Sequence, residues 1–305
     1  MAVRIPQETH SPGTGMRANQ VSSPKCVQTA DRLFAQLAFL EPVVLHELYL
    51  RKVILYPNGV VCKSSQGLPI AEAKALEVAS EAGLPAPRSF GGFKAPFETI
   101  CNGNEIPDSG TVYAEGFSPV IHVHMSHVPG QPLDKLWKDM AEDQRRNIAR
   151  QLGEIVKKMR AVPPPPNYIG TCDGKQIRDP RLYDTYTGPT CDSEQAFNEW
   201  LISEIRSVVA PLVKEAFARR LRTGHRIVLS HCDLTPRNIM VDEEGKNITG
   251  LIDWENSGWY PEYWEYVKFF HSYSTDGWRN YAEYIFPEIY HDELIEYTAL
   301  LRYQK

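Results

Sequence analysis

The pattern of apolar and polar positions changes character partway along the chain. Residues 29–41 (TADRLFAQLAFLE) carry Leu33, Leu37 and Leu40 at helical spacing, and Pro42 ends that helix. From Val43 to Tyr56 β-branched and aromatic residues predict a strand, Pro57-Asn58-Gly59 a turn, and Val60-Val61-Cys62-Lys63 a second strand, together a hairpin. Residues 70–82 (IAEAKALEVASEA) predict a helix stopped by Gly83, with Pro85 and Pro87 preventing its continuation. A loop rich in Gly, Asn and Pro is expected over 91–110, a strand over Pro119–Val128, and a turn at Pro129-Gly130. Beyond this point the period becomes helical. Residues 139–161 predict one long amphipathic helix with Ile148, Leu152, Ile155, Val156 and Met159 in its apolar stripe. A loop over 167–192 is expected next, then helix over 193–222 with a break at Pro211, short β signals over 226–255, and an aromatic helical stretch over 261–302. Strands and helices are segregated rather than alternating, which predicts an α+β fold.

Composition narrows the possibilities. A chain of 305 residues suits two lobes or one large domain, and 42% hydrophobic with 23% charged residues is an ordinary globular mix. The net charge of -5 argues against a nucleic-acid partner, which calls for a basic excess. No apolar run is long enough to span a bilayer; the most apolar stretch, Pro42 to Leu55, is interrupted by His46, Glu47, Arg51 and Lys52. Residues 1–28 are rich in Pro, Ser, Gly and Gln, lack the apolar core of a signal peptide, and predict a disordered leader. The six cysteines (26, 62, 101, 172, 191 and 232) include no CxxC pair and read as free thiols. These features predict a cytoplasmic protein with no membrane partner, in which the sequon Asn247-Ile248-Thr249 is a chance match.

The chemistry is concentrated between Val228 and Tyr266 (VLSHCDLTPRNIMVDEEGKNITGLIDWENSGWYPEYWEY). A short apolar strand (Ile227, Val228, Leu229) leads into His231, Asp233 and Asn238. A second strand (Ile239 to Val241) follows, Asp242-Glu243-Glu244-Gly245 turns the chain, and a third strand (Ile248 to Ile252) ends at Asp253. If the last two strands form a hairpin, Asn238 and Asp253 share its open end with the loop that carries Asp233. Two carboxylates and an amide oxygen are hard ligands that suit Mg²⁺ and leave room for phosphate oxygens.

This segment resembles the aminoglycoside phosphotransferase family of the protein-kinase-like superfamily, and is most similar to its fungal-type branch with an IDWE…GWYPEYWEY continuation. His231-Cys232-Asp233-Leu234-Thr235-Pro236-Arg237-Asn238 resembles the kinase catalytic loop H-R-D-L-x-x-x-N, and Ile252-Asp253-Trp254 resembles the position of D-F-G. The resemblance implies Asp233 as catalytic base and Asn238 and Asp253 as Mg²⁺ ligands. It implies Lys63, in the place of the lysine of V-A-I-K, as the residue that binds the α/β-phosphates. Glu72 would be its ion-pair partner, with Glu77 the alternative. Met125-Ser126-His127-Val128 stands at the interlobe hinge, so Met125 and His127 are expected beside the adenine. The implied fold is bilobal and kinase-like: a small β-rich N-lobe over 29–128 and a mostly helical C-lobe over 129–305. Two departures stand out. No G-x-G-x-x-G precedes Lys63, so the phosphate-covering segment is expected near 43–52, and Cys232 stands where the family commonly has Gly.

The implied activity is transfer of the γ-phosphoryl group of ATP, with Mg²⁺, to a hydroxyl of a small molecule. A protein kinase fits less well, since no A-P-E segment is evident and Trp254 replaces the Phe of D-F-G. A silent nucleotide-binding module and a metal-dependent hydrolase are the remaining alternatives, the latter needing further ligands. Taken without the resemblance, Asp233, Asn238 and Asp253 could be turn formers, Lys63 a surface lysine and Glu72 a solvated helix residue. His231 and the tryptophans and tyrosines of 254–266 read as structural groups around the loop, and Cys232 as a small buried filler. Glu262, Glu265 and Asp276 could supply an acidic surface for a cationic acceptor.

Overall fold

The computed structural model describes residues 41–48, 51–95, 119–181, 184–274 and 277–304. The expected leader over 1–28 and the helix over 29–41 lie essentially outside these residues, as does most of the 91–110 loop.

Five strands open the described chain: β1 (Val43–Leu48), β2 (Arg51–Leu55), β3 (Val60–Ser65), β4 (Ser89–Ala95) and β5 (Val120–Ser126). They form one antiparallel sheet in the order β1-β2-β3-β5-β4. Two details differ from expectation. Val43–Tyr56 is a hairpin of two strands, Leu48 opposite Arg51, where no Gly or Pro in the sequence marks a turn. Ser89–Ala95, whose residues from 91 onward are expected within a loop, is an edge strand. Its glycines hide the strand pattern, yet Gly92 lets it lie close to Ile70 and Ala73, where an added Cβ would come within 3.2 Å of the Ile70 side chain. Helix α1 (Ala71–Glu81) crosses this sheet, with Ala75, Leu76 and Ala79 buried beneath it.

The second half is mostly helical. It contains β6 (Gln131–Pro132), α2 (Leu133–Leu136), α3 (Glu142–Ala161), β7 (Gly170–Thr171), β8 (Ile177–Pro180), β9 (Thr185–Gly188), α4 (Glu194–Ser203), α5 (Pro211–Arg220) and β10 (Ile227–Ser230). Then follow β11 (Ile239–Val241), β12 (Ile248–Leu251), β13 (Gly258–Pro261), α6 (Trp264–His271), α7 (Ala282–Ile285) and α8 (His291–Leu301). Pro211 is the first residue of α5, where its missing N–H costs nothing, so the expected break falls just before it. The stretch 167–192 holds three short strands instead of only loop; β7 pairs with β13 and β8 with β9, pieces too brief to show a period.

Glu41–Lys305 form one compact unit. One apolar core runs from the sheet (Val61, Val123) through α1 (Leu76) to Leu133, Ile148, Leu152 and Leu251. A second, rich in aromatics, gathers Phe197, Tyr260, Trp264 and Tyr297. Among the described residues no helix is long and apolar enough to cross a membrane.

Candidate active site

Lys63 lies near the middle of β3 and is only 6% exposed. Its ammonium meets three carboxylates from separate parts of the fold: Glu72 on α1 at 2.9 Å, Asp253 after β12 at 2.5 Å, and Glu255 at 3.0 Å. Arg51, the first residue of β2, closes on Glu255 with two contacts of 2.8 and 3.1 Å. Oxygens of Glu72, Asp253 and Glu255 all lie within 4.8 Å of one another. Three carboxylates thus face two cations. Burial drives the Glu72 carboxyl up to about 7, with Lys63 pulling the other way and the neighbouring carboxylates adding to the rise. Burial also opposes ionisation of Asp253, but the ammonium outweighs it and holds this group below its usual range. Lys63 itself is raised, because the carboxylates overcome the desolvation that would lower it. Glu77, the alternative partner, is instead paired with Lys74 at 2.9 Å on the outer face of α1.

The loop from Ser230 to Asn238 is fixed from below. His231 is fully buried against Trp254, ring centroids 4.7 Å apart. Its Nδ1 accepts the Asp233 N–H at 3.3 Å and its Nε2 lies 3.1 Å from the Ile252 carbonyl, so one neutral tautomer with the proton on Nε2 satisfies both. Burial lowers its pKa, in keeping with that neutral form. His231 orients the loop, as expected of a structural residue. Cys232 adopts φ +66°, the left-handed region that favours glycine. That conformation turns two successive backbone N–H groups, of His231 and Cys232, onto the buried carboxylate of Glu265; the Cys232 contacts are 3.0 and 3.1 Å. Burial raises Glu265 to about 7 against the pull of these donors.

Asp233 is 8% exposed. Its Oδ2 accepts from Arg237 at 2.8 Å, while Oδ1 is buried with no partner among the described residues. Asn238 donates its amide N–H to the Asp233 carbonyl at 3.1 Å, which leaves its side-chain oxygen without a partner among the described residues. The β11–β12 hairpin forms as the sequence predicts, with Ile239 opposite Leu251, and the Ile252 N–H donates to the Asn238 carbonyl at 2.9 Å. Asn238 and Asp253 therefore stand at the same end. Asp253 has φ +66° and opens a single 3₁₀ turn, Trp254–Asn256. The donor set fits a small divalent cation: hard oxygens, one of them unspent, beside a carboxylate cluster with more negative than positive charge.

Met125 is buried in β5 opposite Val61, while His127 is exposed and donates its backbone N–H to the Gly59 carbonyl at 3.1 Å. Of the residues expected to supply an acidic surface, Glu262 and Glu265 are among those described. Glu265 is buried under the loop, Glu262 pairs with Arg226, and Asp276 lies outside the described residues. Trp254 is fully buried, its indole N–H bonded to the Leu251 carbonyl at 2.8 Å, so it packs rather than offering a stacking surface. The sequence did not reveal Arg51, Glu255 or the Glu265 clamp. For Glu255 a signal existed, a second carboxylate two residues after Asp253. Arg237 likewise stands four residues after Asp233.

A family model described as phosphotransferase enzyme family matches residues 64–288. Solved structures with similar folds include aminoglycoside phosphotransferase APH(4)-Ia, 14% identical, covering 91% of this chain and 89% of that one with a TM-score of 0.54. Aminoglycoside-3'-phosphotransferase of type VIII is 15% identical, covering 90% and 98%, TM-score 0.52. The GDP and kanamycin complex of APH(2")-IIia is 17% identical, covering 90% and 88%, TM-score 0.51. At these identities the likeness is one of fold. No curated protein sequence matches the chain.

Proposed function

The chain belongs to the phosphotransferase enzyme family, and from that premise we propose that it transfers the γ-phosphoryl group of ATP, with Mg²⁺, to a hydroxyl group of a small molecule. The observation that carries this reading is the meeting of Lys63, Glu72 and Asp253, drawn from a strand, a helix and a hairpin end, at 2.9 and 2.5 Å. Lys63 is the residue to hold the α/β-phosphates, with Glu72 fixing the ammonium in place as it turns from Asp253. Asn238 and Asp253 would hold Mg²⁺, which when bound neutralises charge on the phosphate oxygens. Asp233 orients the acceptor hydroxyl and takes its proton; the unpartnered Oδ1 is free for that bond, while Arg237 occupies Oδ2. Catalysis of this type is mostly positioning, and the His231 and Glu265 contacts hold the Asp233 loop rigid for it. Nucleotide use gains support from the relative of similar fold whose structure is a complex with GDP and kanamycin.

The test is a thermal-shift titration with ATP, with and without Mg²⁺, on the full chain and on Asp253→Ala. Stabilisation that requires Mg²⁺ and is lost in the variant is expected. No shift at millimolar ATP would replace the proposal with a silent kinase-like module. Asp233→Asn should abolish phosphoryl transfer and keep nucleotide binding; retained turnover would remove Asp233 from its role.

A further inference from the structure

Strand β8 presents alternate residues to opposite sides. Ile177 is fully buried in the aromatic core, and Asp179, also fully buried, meets Lys268, Tyr297 and Arg181. Arg178, between them, turns the other way, toward the 3₁₀ turn that begins at Asp253. There its Nε donates to the Asn256 side-chain oxygen at 3.1 Å. Arg178 is 9% exposed. A guanidinium carries five N–H donors, and Asn256 uses one. The terminal nitrogens have no partner among the described residues, and no carboxylate there lies in ion-pair range. The other cations of this region are matched: Lys63 and Arg51 by the acidic cluster, Arg181 by Asp179, Arg237 by Asp233, Lys268 by Asp179. Arg178 as a residue is thus mostly out of water while its terminal nitrogens keep an open side, an arrangement that suits an incoming anion, because charges in largely buried settings are normally paired.

Its surroundings tie it to the Asp233 loop. Asn256 precedes Ser257, whose hydroxyl donates to the His231 carbonyl at 3.3 Å, two residues before Asp233. An unmatched guanidinium and the unpartnered Asp233 Oδ1 are thus mounted on adjoining pieces of one scaffold. We infer that Arg178 binds an anionic group of the phosphoryl acceptor, so that the acceptor is a hydroxy compound carrying a carboxylate or a phosphate and not a polyamine. The planar fork of the two terminal nitrogens matches two oxygens of either group. This inference rests on the phosphotransferase reading given above for the role of Asp233.

The experiment uses the full chain saturated with ADP and Mg²⁺, and the Arg178 variants separate anion binding at Arg178 from binding at the vacant γ-phosphate position. Malonate, inorganic phosphate and kanamycin are titrated by calorimetry against wild type, Arg178→Lys and Arg178→Met. Wild type is expected to bind malonate or phosphate, and Arg178→Met to bind the same anion roughly tenfold or more weakly, with Arg178→Lys between them. Preference for malonate identifies a carboxylate and preference for phosphate a phosphorylated acceptor. Without ligand, Arg178→Met should melt close to wild type, because the guanidinium has no ion-pair partner among the described residues to lose. Failure of wild type to bind either anion, equal affinity in wild type and Arg178→Met, tighter binding of kanamycin than of both anions, or a melting point several degrees lower in Arg178→Met would each overturn the inference. If ADP and Mg²⁺ fail to bind while the Arg178-dependent anion site persists, the kinase reading falls and the anion site stands.

Discussion

Replacing Lys63 by Met tests the cluster that organises the site. Methionine has similar length and fills the same space, so the perturbation is almost purely loss of charge. Lys63 is 6% exposed and holds carboxylates at 2.5, 2.9 and 3.0 Å. Removing one partner of a buried ion pair typically costs about 3–5 kcal/mol. The carboxylate oxygens left behind lie within 4.8 Å of one another. At an effective dielectric near 20, two such charges repel by roughly 3.5 kcal/mol. Arg51 offsets part of this through Glu255. A loss of about 3–5 kcal/mol at pH 8 is therefore expected. The sign of the pH dependence follows. Asp253 is held below its ordinary range mainly by Lys63, which overcomes burial, and Glu72 already sits at about 7. Without the ammonium the Asp253 and Glu72 carboxyls rise in the folded state. The folded variant then binds protons that the unfolded chain releases, so its stability increases as pH falls. The deficit against wild type should shrink by roughly 1–2 kcal/mol between pH 8 and pH 5, about one pKa unit's worth. Urea unfolding followed by tryptophan fluorescence measures this, with six tryptophans as reporters. A deficit below about 1 kcal/mol at pH 8, or one unchanged at pH 5, would refute the view that Lys63 neutralises ionised carboxylates.

Three further outcomes are expected. Glu265 is raised from 4.5 to about 7 by burial, so its contribution is full below 4.5 and declines as pH rises toward 7; Glu265→Gln should flatten part of that decline and cost about 1–2 kcal/mol, and an unaltered pH profile of the melting temperature would count against it. Gly130 has φ +103° and an added Cβ would overlap the Val241 carbonyl beside β6, so Gly130→Ala should lose at least about 2 kcal/mol; denaturant unfolding showing less than about 0.5 kcal/mol would contradict that packing. Lys268, 1% exposed, is paired with the buried Asp179. Lys268→Met should destabilise by about 3–5 kcal/mol, with most of the loss recovered when Asp179→Asn is added; a double variant as unstable as the sum of the singles would exclude the coupling.

The sequence by itself determined the helices at 71–81 and 142–161 and the β11–β12 hairpin, because periodicity and turn chemistry act between near neighbours. The spacing of Asp233, Asn238 and Asp253 was equally local, since the hairpin that unites them is short. Lys63 and Glu72 could be named from their places on a strand and a following helix only nine residues apart. The tertiary structure decided the rest. Nothing near Arg51 in the chain indicates that it meets Glu255, a contact between residues 204 positions apart. Nor does anything near Cys232 show that its N–H group closes on Glu265, 33 residues on. Ser89–Ala95 became a strand because β5 offered it hydrogen bonds, against its own glycine-rich composition. Local φ/ψ preference is set by adjacent residues, but which buried charge closes on which is set by packing, where the cost of an unmatched ion selects the partner however distant it lies in sequence.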